Sequence, residues 1–418
     1  MSAKVLVVGG GGREHALAWG MARSPRVREV LALPGNAGIA ECARTLPDPG
    51  DVEAVAALAA AEAVDLVVIG PEAPLVAGLA DACRARGLAV YGPSAAAARL
   101  EASKADAKAF MERHGVPSAY AERYTDLERA LAGLAGWASP PVVKRSGLAG
   151  GKGVTVARDA AEAEHALRAA FGAGETEVLL EARLDGQEVS LLVVCDGRDA
   201  HALLLAQDYK QALDGDQGPM TGGMGTVAPV ALLDDAALAG VMADIVRPTL
   251  DGLRAEGTPF VGTLFVGLML TDAGPQVLEY NVRFGDPETQ VLVPLLESDL
   301  FELLEAAAQG RLAEVTPRWR RRAAACVVMA APGYPGPATS GTPIDLPGDL
   351  GDDVIVFHAG TAVREDGALV SAGGRVLNVV ALGEHRSEAV ARAYAALERI
   401  GFDGAHYRRD IGARLRPS

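Results

Sequence analysis

Cysteine and histidine are scarce in this chain, at four and seven of 418 residues. Cys42, Cys83, Cys195 and Cys326 are widely scattered and form no CxxC or Cys/His spacing. That argues against a thiol-metal site or a disulfide framework and leaves them as small buried residues. Of the histidines only His15 falls inside a candidate site, and no Ser/His/Asp arrangement is supported. Positive charge is also in deficit: 39 Lys plus Arg face 54 Asp plus Glu, a formal charge of −15. Nonspecific binding to nucleic acid or to anionic membranes is therefore not expected, and an anionic substrate must be held by local positive features. No apolar run approaches a membrane helix in length, and Val5 to Val8 is too short for a signal peptide, so a cytoplasmic location is expected.

Hydrophobic residues, by contrast, make up 50% of the chain and charged ones 22%, which suits a globular protein with several cores. The length predicts about two to four domains. Apolar runs at Lys4 to Val8, Glu29 to Leu33, Asp65 to Ile69 and Leu88 to Tyr91 alternate with helical stretches such as Val52 to Ala61 and Leu75 to Arg86. This alternation predicts a doubly wound parallel sheet, whose ligands bind where loops leave the carboxyl ends of the strands. Ser94 to His114 reads as one helix, Asp234 to Glu256 as a second and Asp299 to Ala308 as a third, with strands at Phe260 to Leu270 and Gln276 to Tyr280. Residues 311–322, with Pro317 and a basic cluster, read as a linker before a smaller α+β unit. The expected division is 1–102, 103–310 with a small lid at about 120–188, the linker, and 323–418.

The most informative stretch is residues 276–290, where an apolar strand carries Glu279 and Asn281 two positions apart. Alternate strand residues share a face, so a carboxylate and an amide oxygen point the same way, a pairing suited to a hard divalent cation such as Mg²⁺. Arg283 and Asp286 follow at once. The plain alternative is a strand end with a solvated turn. A first glycine cluster, Gly9 to Gly12 before Arg13, Glu14 and His15, fails the dinucleotide pattern because Glu14 or His15 replaces the third glycine. It still opens a helix and, with Arg13, suits a phosphate or carboxylate, unless it is merely a tight turn. A second cluster, Val142 to Val154, is not a P-loop, since Gly153 follows Lys152 and a strand follows where a helix is needed. It reads as a flap able to close over a triphosphate, with Lys144 on the preceding strand. Glu181 and Glu188 flank a bend, and Gly218 to Gly225 forms another loop permitting close backbone approach, just after Asp208 and Lys210.

Taken in order, these segments resemble the ATP-grasp superfamily and, motif by motif, its glycinamide ribonucleotide synthetase family. The resemblance rests on Gly11 to Ala18, Pro34 to Gly38, Gly70 to Leu75, Gly147 to Gly153, Thr221 to Gly225 and Asn281 to Gln290. It implies an α/β fold: an N-terminal doubly wound domain, ATP-grasp domains with a mobile lid, and a C-terminal α+β domain. The implied activity is ATP-dependent ligation of glycine to 5-phosphoribosylamine through a glycyl phosphate, releasing ADP and phosphate in purine synthesis. On this resemblance Glu279 and Asn281 hold Mg²⁺ or Mn²⁺, and ATP meets Lys104, Lys144, Gly151, Lys152, Gly153, Glu181, Leu184 and Glu188. Arg283, Lys152 and Asp286 are the catalytic set. Substrates meet Gly12, Arg13, Glu14, Asn36, Glu72, Asp208, Lys210, Arg283 and Asp286. Ser146 stands where the family usually has aspartate, Met220 where it has asparagine, and Ala182 with Arg183 where it has an acid-aromatic pair. The alternatives are another ATP-grasp carboxylase or ligase of purine metabolism, and a regulatory nucleotide-binding protein. No coiled coil or symmetric patch points to an oligomer, so a monomer is compatible with the sequence.

Overall fold

The computed structural model describes residues 2–148, 150 and 153–414. Four short apolar segments and the two-residue strand Arg44–Thr45 assemble the first sheet. It is parallel throughout, in the order Arg44–Thr45, Val27–Pro34, Ala3–Gly9, Leu66–Ile69, Ala89–Tyr91. Val5, Leu6 and Val7 are buried on both faces, as continuous apolar runs in a doubly wound sheet must be. Helix Gly12–Ala22 follows the central strand after two residues, and helices Val52–Ala61 and Leu79–Ala85 complete the wrapping.

The expected helix from Ser94 to His114 is two helices, Ala95–Ala102 and Lys104–Arg113, meeting at Ser103. Ser103 is extended, and its hydroxyl accepts the Asp106 N–H, so a serine cap starts a second helix where periodicity alone suggested continuity. The new helix begins at Lys104, whose backbone N–H reaches the Ser146 carbonyl at 2.9 Å. The Ser146 hydroxyl accepts the Ala105 N–H and donates to Glu177 at 2.7 Å, so it ties this helix start to the lid. The run from Asp235 to Ala255 likewise contains a π turn at Met242–Val246, just before Pro248 removes a backbone donor.

The lid is an antiparallel sheet, Ala121–Tyr124, Val178–Glu181, Val142–Arg145, Val154–Val156, backed by helices Leu127–Leu134 and Ala160–Gly172. Ala130, Val143, Leu167 and Leu180 belong to its own small core. A second antiparallel sheet, Ala200–Ala202, Gln187–Asp196, Val261–Thr271, Gly274–Asn281, forms the opposite wall. The third main sheet runs Gln207–Asp208, Gly225–Ala228, Ala323–Ala330, Arg375–Gly383, Val354–His358. It draws strands from both sides of the expected boundary at 310, so the C-terminal unit and the loop after Asp208 share one sheet. Helix Glu288–Leu295, absent from the sequence reading, is buried at all eight positions. With no polar face it has no amphipathic period to detect.

Candidate active site

Strand Gly274–Asn281 delivers its charges through a defect. Its pairing with Val261–Thr271 skips Leu278: Val277 faces Leu268, and Glu279 faces Gly267. A bulge of this kind re-aims side chains and releases a ladder carbonyl. The Leu278 carbonyl accepts the Lys144 ammonium at 3.1 Å, and the Glu279 carboxylate meets Lys210 at 3.3 Å. Lys210 also pairs with Glu188. Burial alone raises the Glu279 pKa, but Lys210, Lys104 and Lys144 outweigh it and bring it down to about 2, so the group is an anion.

These residues line a cavity of about 660 Å³ between the lid, the second sheet and the first domain. Arg13, Glu72, Lys104, Lys144, Gly153, Glu181, Leu184, Glu188, Asp208, Lys210, Glu279, Asn281, Arg283 and Asp286 all border it. Gly151 and Lys152 lie outside the described residues. Gly12, Glu14 and Asn36 are not among the residues that line it. A Cβ on Gly12 would sit 2.4 Å from the Gln290 side-chain nitrogen and 2.5 Å from that of Asn378, so this glycine permits domain packing. Glu14 is buried, accepting the Gly11 N–H and the Arg13 Nε, each at 2.6 Å. Asn36 donates to the carbonyls of Gly10 and His358 and accepts the Ile39 N–H, leaving its side chain occupied by backbone.

Two arginines and two glutamates make a chain along the first-domain wall. Arg13 and Arg283 share Glu72, at 3.4 and 3.2 Å, and Arg283 also pairs with Glu101 at 2.9 Å. Burial opposes charge on Glu72, but Arg283 and Arg13 hold its pKa below the usual range. Burial dominates at Glu101 and raises its pKa, although Arg283 opposes it. Asp286 joins three regions: it accepts from Gln290 at 2.7 Å and from the Arg13 N–H at 3.4 Å, and pairs with Arg375 at 3.3 Å. On the far side, burial next to Glu288 pushes the Asp208 carboxyl well above its ordinary value.

Lys104 differs from the other cations. Among the described residues no carboxylate lies within ion-pair distance of it, and its ammonium touches only the Gly147 carbonyl, at 3.4 Å. Burial lowers its pKa, with Glu279 opposing. By contrast Lys144 and Lys108 both bind Glu181, at 2.6 and 2.9 Å. Sequence reasoning missed Lys108, Glu101, Glu288 and Arg375. Lys108 was detectable, four residues after Lys104 and hence on the same helix face. Glu288 opens a helix to which the sequence pattern assigned no element, and Arg375 arrives from another domain with no local signal.

For a divalent cation the donor chemistry fits. Glu279 is ionised and Asn281 supplies a neutral oxygen from the same strand face. Mg²⁺-type sites commonly take one or two protein oxygens and fill the rest with phosphate and water. Among the described residues no cluster of three or more His, Cys, Asp or Glu has metal-site spacing, so the protein share of such a site is small.

A lid and a second antiparallel sheet enclosing lysines and a carboxylate strand define an ATP-grasp enzyme. The family model described as the phosphoribosylglycinamide synthetase ATP-grasp (A) domain matches residues 102–289, with the N domain at 3–101 and the C domain at 324–414. Phosphoribosylamine–glycine ligases from Agrobacterium fabrum and Phenylobacterium zucineum are 49% and 50% identical, with coverage of 98% of this chain and 98% and 99% of theirs. The crystal structure of phosphoribosylamine–glycine ligase from Thermotoga maritima superposes with a TM-score of 0.84 at 35% identity, over 98% of this chain and all of that one. A biotin carboxylase domain from Hydrogenobacter thermophilus, at TM-score 0.74 and 20% identity over 97% of this chain and 92% of that one, shares the fold. The chain belongs to the phosphoribosylglycinamide synthetase family.

Proposed function

We propose that this protein is the ATP-dependent carbon-nitrogen ligase that joins glycine to 5-phosphoribosylamine. The glycine carboxylate attacks the γ-phosphorus of ATP, giving glycyl phosphate and ADP. The amine of phosphoribosylamine then attacks the acyl carbon, phosphate leaves, and glycinamide ribonucleotide forms. Such a transfer needs positioning and charge neutralisation more than covalent help.

The observation that carries this reading is Lys104, a cavity cation without a carboxylate partner among the described residues, set beside the ionised Glu279. Among the described residues it is the cavity cation free to meet a phosphate. Lys144, held by Glu181 and the Leu278 carbonyl, defines the nucleotide side of the lid. Glu188, at the cavity wall, takes the ribose, and the backbone near Leu184 takes the adenine. Glu279 and Asn281 would hold Mg²⁺ or Mn²⁺, which when bound neutralises phosphate charge. Arg283, oriented by Glu72 and Glu101, takes the carboxylate or the transferring phosphoryl group. Asp208 serves the amino group of glycine, with Lys210 beside it. Asp286 acts by setting Arg13 and Arg375 rather than by touching glycine. Arg13 and Glu72 face phosphoribosylamine, and Glu14 orients Arg13 from behind. Closure of the lid shields the acyl phosphate from water.

A coupled assay checks the reaction. ADP and phosphate must appear only with a divalent cation, glycine and phosphoribosylamine together, and other amino acids must substitute poorly. Release of AMP and pyrophosphate, or turnover that needs bicarbonate, would refute it.

A further inference from the structure

Tyr209 lies between Asp208 and Lys210 in sequence, and its ring is fully buried. Side chains alternate along an extended segment, so the two cavity residues point one way and the tyrosine the other. The tyrosine is held by a distant part of the chain. The guanidinium carbons of Arg408 and Arg414 lie 5.0 and 4.2 Å from its ring centroid. Its hydroxyl accepts the Gly412 N–H at 2.8 Å. Arg414 also donates to the Asp208 carbonyl at 3.2 Å and pairs with Asp216. Arg408, with no exposed surface, forks onto Asp410, pairs with Asp216 at 2.9 Å and donates to the Gln211 carbonyl at 3.1 Å. Two further bonds lock the same segments together: the Arg409 N–H to Asp214 and the Gly215 N–H to Asp410.

Residues 408–414 therefore grip the backbone that carries Asp208 and Lys210, while Arg414 itself reaches the cavity edge. Lys210 bridges Glu188 and Glu279, so a shift of this backbone changes the spacing of three charges at once. We propose that Arg414 is a positioning residue for the amino-acid end of the site, acting through the Tyr209 ring and the Asp208 carbonyl. The inference rests on the assignment of Asp208 and Lys210 to glycine.

Arg414 is suited to a test because its side chain is 30% exposed, whereas removing Arg408 would empty a closed interior. Arg414→Ala is expected to raise KM for glycine about tenfold, the order of a lost cation-aromatic contact with a charge-assisted hydrogen bond. KM for ATP should stay within about twofold, and any fall in melting temperature should leave the ATP end of the site unaffected. Arg414→Lys should recover only part of the loss, because an ammonium lacks the planar fork. Tyr209→Phe, which keeps the ring and loses the hydroxyl acceptor, should give a smaller rise in the same constant. A glycine KM unchanged in Arg414→Ala, or an equal rise for glycine, ATP and phosphoribosylamine with a lowered melting temperature, would overturn the proposal. Wild-type ADP release that is indifferent to glycine would overturn the underlying assignment instead.

Discussion

The glycine loop at residues 9–12 and the strand Gly274–Asn281 both end beside the cavity, yet they settle their polar groups in opposite ways. At the loop, donors meet acceptors from the protein itself. Gly11 and Arg13 give their N–H groups to Glu14 and Asp286, and Asn36 bonds three backbone groups. Gly70 completes the enclosure, since a Cβ there would stand 2.1 Å from a Glu14 oxygen. At the strand, a bulge sets Glu279 among lysines and Asn281 beside Arg283 at the cavity wall. Glycine richness marked close packing around a buried anion in the first case. A two-residue spacing of oxygens marked the reactive surface in the second. An anion-binding loop is thus better recognised by which of its donors remain unclaimed than by its glycine count.

The contrast predicts that the strand governs rate and the loop governs stability. Glu279→Gln, nearly isosteric but uncharged, should lower ADP formation by about a thousandfold while leaving the denaturation midpoint close to wild type. Steady-state kinetics and urea unfolding on the same preparation decide this; comparable turnover would remove Glu279 from the reaction. Glu14→Gln should show the reverse emphasis. Breaking its buried pair with Arg13 is expected to cost about 3 kcal/mol of unfolding free energy. A variant as stable as wild type but inactive would make Glu14 a substrate contact after all.

The smallest effect concerns the contact between the first and last domains, where the His358 N–H donates to His15 Nδ1 at 2.8 Å. Burial, with His358 adding to it, lowers the His15 pKa to about 3, and burial lowers that of His358 to about 4. Both rings are neutral in the folded protein, so the unfolded chain takes up protons first. Stability is full above pH 6.5, starts to fall below it as the unfolded histidines protonate, and the loss is complete only below the folded values. Summed over the two rings, the expected loss is about 2 kcal/mol over the first pH unit below 6.5. Urea midpoints between pH 7 and 5 test it, and His15→Gln should flatten the curve; an unchanged slope would place the acid sensitivity elsewhere.

Much of the architecture was legible from local pattern. Apolar runs alternating with helices predicted the parallel sheet, and strands Ala3–Gly9 and Leu66–Ile69 fall on two of those runs. The oxygens of Glu279 and Asn281 were legible because strand geometry has a fixed period. The helix break at Ser103 was less legible, because a serine in a helical pattern looks the same whether it caps or continues.

Sequence by itself determined the kind of chemistry: which residues carry charge, which segments become strands, and the order of motifs that links the chain to its family. Tertiary structure alone decided which charges remain available. Glu14 and Asn36 look like free polar groups in one dimension, but in three their atoms bond Gly11, Arg13, Gly10 and His358. Arg375 and Arg414 look incidental, yet packing brings them to the cavity from more than a hundred residues beyond Asp208. The physical reason is that hydrogen bonds and ion pairs are short-ranged, so their partners are chosen by neighbours in space, which local spacing does not encode.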